Sequence, residues 1–202
     1  HAGCFGWCMF DYQTHKDFGS GDRICYHGVM DMFRNPKLAA AAYASQGEAE
    51  PVLEISSSMD IGDSPAGQLG QVYTFSNAQQ VKLYKNDVFV TDLARSEWDS
   101  LPHPPFVVDD TIGELLETQE HFAPAKAALL RDCLLAAGKY GLPGLPLSYK
   151  LKLGWCMLRY KMTFEDGVAL YGKYVGNWGG AATRWRFDAV QDGKVVRSVT
   201  LC

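Results

Sequence analysis

Apolar and polar positions fall into four zones along the chain, each with its own period. The first opens on "GCFGWCMFDYQTH", residues 3–15, an unbroken apolar and aromatic run that gives way to the polar, glycine-containing "DYQTHKDFGSGD". A short run of that kind predicts a fully buried strand followed by a loop. Further on, "RNPKLAAAAYASQG" predicts a helix with Asn35 as N-cap, Pro36 in the first turn, a stretch of high helix propensity and Gly47 as the stop. Residues 1–50 thus read as strand, long loop and helix, one βα unit of something larger.

From about 51 to 109 the period shortens to two. "VLEISSS", "GQVYTFSN", "QVKLYKN" and "DVFVTDL" are alternating segments separated by Gly, Asn and Asp, and "LYKNDVFV" places an Asn-Asp pair where a tight hairpin turns. Alternation returns at the end, where "ATRWRFDAV" and "KVVRSVTLC" flank "QDG", a second hairpin signal. Several short strands at this spacing predict a β-sandwich.

Between these stretches, about 110–178, the pattern is helical. In "APAKAALLRDCLLAAGKYG", Pro124 opens a helix, Leu129, Leu130, Cys133, Leu134 and Ala137 form its apolar stripe, and Gly138 or Gly141 closes it. "TFEDGVALYGKYV" predicts another helix, with Thr163 and Asp166 as an imperfect capping box. "YKLKLGWCMLRYKM" fits a helix or a strand on apolar content alone and is assigned as helix. The fold class is therefore mainly β with α: an Ig-like β-sandwich over 51–202 that carries a helical insertion at about 110–178.

Composition narrows the partners. The 202 residues are 47% apolar, enough for a sizeable core, and 19 Lys plus Arg against 23 Asp plus Glu give a net charge of -4. That balance supplies no basic field for nucleic acid or for a membrane surface, so neither is expected as a partner. No apolar run approaches the roughly 18 residues of a membrane span. Six cysteines, Cys4, Cys8, Cys25, Cys133, Cys156 and Cys202, sit mostly within apolar runs at spacings of neither a zinc site nor a compact disulfide pattern. They read as buried free thiols, which favours a cytoplasmic setting, and no metal or cofactor is expected.

Nucleophile elbow, phosphate loop, dinucleotide fingerprint and HExxH patterns are all missing from the sequence. The carboxylates Asp11, Asp17, Asp22 and Asp31 crowd the first zone. Two facing one another would suit acid/base work on a glycosidic bond, whereas loop carboxylates more commonly cap nearby backbone. Trp7, at the end of the predicted strand, offers either a flat face for a ligand or an ordinary core ring.

"GCFGWCMFDYQTH" followed by "GDRICYHGVMDMFRNPKLAAAAYASQ" resembles the end of the (β/α)8 catalytic barrel of glycoside hydrolase family 2. The resemblance rests on a Gly-rich strand ending in Trp and an acidic residue, then a Gly, then the Arg34, Asn35, Pro36, Lys37 helix start. "QVYTFSNAQQVKLYKNDVFV", with Ser76, Asn77, Val81, Leu83 and Asn86, is similar to the Ig-like domain that follows the barrel in many members. The helical insertion departs from that pattern.

This resemblance implies that residues 1–50 are the last strand, loop and helix of a barrel, and that the sandwich supports it. It implies a retaining mechanism whose two glutamates lie on earlier strands, before His1, so the chain itself carries no catalytic residue. Trp7 then matches the tryptophan walling the glycone pocket, and His27 falls where members contact distal hydroxyls of the sugar. Family β-glucuronidases carry Asn-x-Lys just before the Gly, where this chain has Cys25, Tyr26 and His27, so a neutral hexoside, β-galactoside first, is the implied substrate. The rest of the barrel is the implied partner. An orphan strand from Gly3 to Phe10 is expected to pair with another chain or to lose its barrel-like conformation. The alternative is a stand-alone carbohydrate-binding or interaction module that uses Trp98, Trp178 or Trp185 as its platform.

Overall fold

A computed structural model describes residues 5–15, 23–60, 69–176 and 183–202. Its elements, in chain order, begin with the two-residue strands β1 (Tyr12–Gln13) and β2 (Ile24–Cys25) and helix α1 (Leu38–Ala44). Strands β3 (Leu53–Ile55), β4 (Val72–Ser76), β5 (Gln80–Lys85), β6 (Val88–Asp92), β7 (Ala94–Arg95) and β8 (Phe106–Val108) follow. Helices α2 (Leu115–Thr118), α3 (Pro124–Gly144), α4 (Leu147–Tyr160) and α5 (Phe164–Tyr174) then precede β9 (Trp185–Gln191) and β10 (Lys194–Leu201).

The strands after β2 build two antiparallel four-stranded sheets, ordered β3-β4-β8-β7 and β10-β9-β5-β6. Their inward residues share one core: Leu53, Val72 and Phe106 from the first sheet meet Val81, Leu83 and Phe187 from the second. Alternation in the sequence is alternation in burial, since β4 reads buried, half-buried, buried along its length. The last hairpin joins the second zone as expected, for β9 pairs with β5 from Gln80–Val190 to Lys85–Trp185. Both tight turns take positive φ at their central residues, 49° and 65° at Asn86 and Asp87 and 51° and 74° at Asp192 and Gly193. Those values suit the primed hairpin turns, which match the twist of the flanking strands.

The residues of the "SN...V.L..N" pattern each have a physical task. Ser76 Oγ donates to the Val52 carbonyl, and Asn77 Nδ2 donates to the Gly47 and Glu50 carbonyls while its Oδ1 accepts from the Val52 N–H. The pair thereby straps the α1–β3 connection to the first sheet. Val81 and Leu83 are fully buried, and Asn86 turns the hairpin and accepts from the Arg184 N–H.

The helical zone lies between β8 and β9, and its buried residues Leu116, Ala127, Leu130, Leu134 and Leu170 extend the sandwich core. Helix α3 opens on Pro124 and breaks at Gly141, where φ is 68° and ψ is 158°. "YKLKLGWCMLRYKM" is helical, and Thr163 with Asp166 form a complete capping box at the start of α5. The buried Lys85, on β5, donates to the Lys173 and Tyr174 carbonyls at 3.1 Å, so a strand cation satisfies the open C-terminus of α5.

Two expectations for the first zone are corrected. Residues 5–9 form no strand, and Phe5, Trp7 and Met9 are 104%, 78% and 63% exposed; Gly3 and Cys4 lie outside the described residues. The physical reason is the lack of neighbours: Cys8 and Met9 carbonyls accept from Val29 and Met30, and Phe10 makes a single parallel bridge to Met30. One flank without a sheet cannot bury an apolar run or satisfy both edges of its backbone. Residues 5–9 thus lack the expected strand in this chain, and Phe10 keeps one bridge to Met30. Asn35 does not cap α1 either; the N-cap is Lys37, without a side-chain bond, because Asp31 holds Asn35.

Candidate functional site

The first zone is held together from one buried carboxylate. Asp11 Oδ1 accepts from the Gly28 N–H at 2.8 Å and from Lys37 Nζ at 2.6 Å, and Lys37 also reaches the Tyr26 carbonyl. Gly28 is obligatory by space: a Cβ there would stand 2.2 Å from the Asp11 nitrogen and 2.3 Å from the Met30 oxygen. Asp11 and Lys37, 26 positions apart, thus fix both ends of the loop around Gly28.

Trp7 and His27 flank this clamp at the surface. Trp7 Nε1 donates to Tyr12 Oη at 3.4 Å, Tyr12 stands opposite Cys25 across the β1–β2 pair, and Cys25 Sγ lies 3.1 Å from His27 Nδ1. The two sugar-facing candidates are thereby the ends of one connected set: Trp7, Tyr12, Cys25, His27. Their exposed rings and hydrogen-bonding edges can present a flat apolar face beside a polar one, the pairing that a pyranose ring with its hydroxyls requires. Tyr12 was not singled out by sequence, although its place two residues after the apolar run is where a strand end delivers a side chain.

The carboxylates divide differently. Asp31 accepts from the Phe33 and Asn35 N–H groups and from Asn35 Nδ2, and the Asn35 side-chain bond holds its carboxyl below the ordinary carboxylate range. With Asp11 committed to Gly28 and Lys37, both described members of the quartet serve local backbone; Asp17 and Asp22 lie outside the described residues. Among the described residues, no three His, Cys, Asp or Glu side chains gather as a metal site. Cys133 and Cys156 are buried free thiols at the α3–α4 contact, and burial pushes the Cys133 thiol up to about 12.

Of the three tryptophans of the alternative reading, the structure removes one. Trp185 is 3% exposed and belongs to the core, Trp178 lies outside the described residues, and Trp98 is half-exposed with Tyr73 tilted against it at 5.0 Å.

No family model matches the chain. It is 44% identical over 113 residues, 54% of its length, to a β-galactosidase of Thermoanaerobacterium thermosulfurigenes, covering 16% of that protein. It is 47% identical over 110 residues, 52% of its length, to a β-galactosidase of Thermoanaerobacter pseudethanolicus, covering 15%. A β-galactosidase of Rhizobium meliloti is 30% identical over 111 residues, 54% of the chain and 15% of the relative. Among solved structures, a β-glucuronidase of Parabacteroides merdae aligns with 95% of this chain and 16% of its own at 11% identity and a TM-score of 0.44. The chain spans about one sixth of the length of the curated relatives it matches. Over about half of its length the chain is similar to β-galactosidases, in line with the resemblance to family 2 glycoside hydrolases.

Proposed function

We propose, from this kinship with β-galactosidases of family 2, that the chain is a non-catalytic part of a larger retaining exo-glycosidase acting on neutral β-hexosides, β-galactosides first. The sandwich buttresses the catalytic barrel, and residues 1–50 complete the barrel beside the sugar. Both catalytic glutamates come from the remainder of the enzyme. Trp7 supplies a wall of the glycone pocket and His27 a hydrogen bond to a distal hydroxyl.

The observation that carries the activity is the 44–47% identity to two β-galactosidases. The connection of Trp7 to His27 through Tyr12 and Cys25 supports the site, because it links an exposed aromatic ring to an exposed imidazole. The Asn-x-Lys of family β-glucuronidases is replaced here by Cys25, Tyr26 and His27, which supports a neutral sugar over a uronate.

The test is hydrolysis of p-nitrophenyl β-galactoside and β-glucuronide by the intact gene product and its Trp7→Ala and His27→Ala variants. Galactoside preference, with kcat/KM reduced about tenfold or more in each variant, is expected for contacts worth about 1.4 kcal/mol each. Galactoside turnover unchanged by Trp7→Ala overturns the pocket assignment, and a preference for the glucuronide overturns the substrate.

A further inference from the structure

Averaged over the chain the charge is mildly acidic, yet it is sharply segregated. Between Asp132 and Glu165 there is no acidic residue, while Lys139, Lys150, Lys152, Arg159 and Lys161 are all cationic. Three of these cations lie on α4 and Lys161 is its C-cap.

Helix α4 has two apolar faces. One carries Cys156, which is buried in the shared core. The other carries Leu147, Leu151, Trp155 and Leu158, at 72%, 67%, 57% and 82% exposure. Their spacing of four, four and three residues puts them in one stripe along the solvent side of the helix. At 3.6 residues per turn, Lys150 falls along one edge of that stripe and Lys152 and Arg159 along the other, while Lys161 is the exposed left-handed C-cap at the end of the helix. Lys152 is tied to Asp132 at 3.0 Å; among the described residues Lys150, Arg159 and Lys161 make no ion pair. On the other side of α4, an apolar cavity of about 640 Å³ lies between α3, α4 and α5, lined from α4 by Leu153, Cys156 and Met157.

We propose that this face of α4 docks on an anionic lipid surface, lying in the plane of the interface with the leucines and Trp155 in the headgroup and acyl boundary. A leucine stripe with cations along both edges suits this seat, because Lys and Arg stems extend outward to phosphates while the apolar side chains enter the boundary. Charge selects the occupant. A second copy of the chain would bring cations against cations across two such stripes, which like-charge contact disfavours. An anionic surface instead neutralises both edges at once.

The experiment is co-sedimentation of the intact gene product with phosphatidylcholine vesicles, with and without phosphatidylglycerol, at low and high NaCl. Binding is expected to strengthen about tenfold or more with phosphatidylglycerol and to be lost at high salt. Leu151→Glu with Leu158→Glu, both at exposed positions, should abolish it. Lys150→Glu with Lys161→Glu, which leaves every apolar side chain in place, should remove the preference for phosphatidylglycerol. Absence of vesicle binding overturns the proposal, as does binding indifferent to phosphatidylglycerol. A concentration-dependent dimer that the leucine variant dissociates would overturn it in favour of a second copy.

Discussion

Lys37 Nζ and Asp11 Oδ1 lie 2.6 Å apart, and the Asp11 side chain is only 3% exposed. A carboxylate so buried depends on its partners, because an uncompensated charge removed from water is costly. Lys37→Met is expected to destabilise the segment around Gly28 by about 2 kcal/mol, less than for a fully buried pair because the lysine keeps solvent contact. Hydrogen exchange of the Gly28 and Met30 amides reports it: both should exchange faster while Val81 and Leu83 in the sandwich stay protected. Unchanged exchange at Gly28 would deny the clamp.

Gly28 has no room for a side chain. Its Cβ would overlap the Asp11 nitrogen and the Met30 oxygen, both main-chain atoms that no rotamer change can move. Gly28→Ala should therefore open the loop at a cost on the order of 3 kcal/mol, and limited proteolysis within residues 5–37 should accelerate about tenfold or more. Resistance equal to wild type would show that the backbone yields.

Lys85 makes stability depend on pH. Burial, with Lys173 nearby, holds its ammonium down to about 8, against an ordinary value of 10.5. The unfolded chain binds this proton more tightly than the folded one, so the cost is full below pH 8 and is relieved as pH rises to 10.5. Denaturation of wild type and Lys85→Met across that range isolates the group from other titrations. The wild type should gain on the variant as pH rises, by an amount on the order of 3 kcal/mol. A constant difference would contradict the depressed ammonium.

Thr163 caps α5 by accepting from the Asp166 N–H, while Asp166 accepts from the Thr163 N–H at 2.8 Å. Thr163→Ala should lower stability by about 1 kcal/mol, read as a shift in the urea midpoint at constant slope. The Thr163 backbone bond holds the Asp166 carboxyl below its ordinary value, so the carboxylate's own contribution, read by comparing wild type with Asp166→Asn, is present at neutral pH and is lost as pH falls through the acid range. An Asp166→Asn midpoint equally displaced at neutral and strongly acid pH would be inconsistent with the box.

What the sequence determined by itself lies within a few residues of each signal. The Asn86-Asp87 and Asp192-Gly193 turns, the opening of α3 at Pro124 and the Thr163 box were legible because φ preferences and caps act locally. The alternation of Val72–Ser76 and Gln80–Lys85 announced two half-buried sheets for the same reason. Tertiary structure decided what depends on distant partners. "CFGWCMF" has the composition of a buried strand, but burial is conferred by neighbouring strands, and residues 5–9 have one loop beside them. That Asp11 serves backbone is the commoner expectation for a loop carboxylate, but its partners, Lys37 and the Gly28 N–H, come from the far side of the loop. Trp185 alternates with arginines and faces either way by sequence; its pairing with Lys85 across β5 and β9 turns it into the core. The outer face of α4 was the least visible of all, since an apolar heptad-like stripe reads as core until the fold leaves it uncovered.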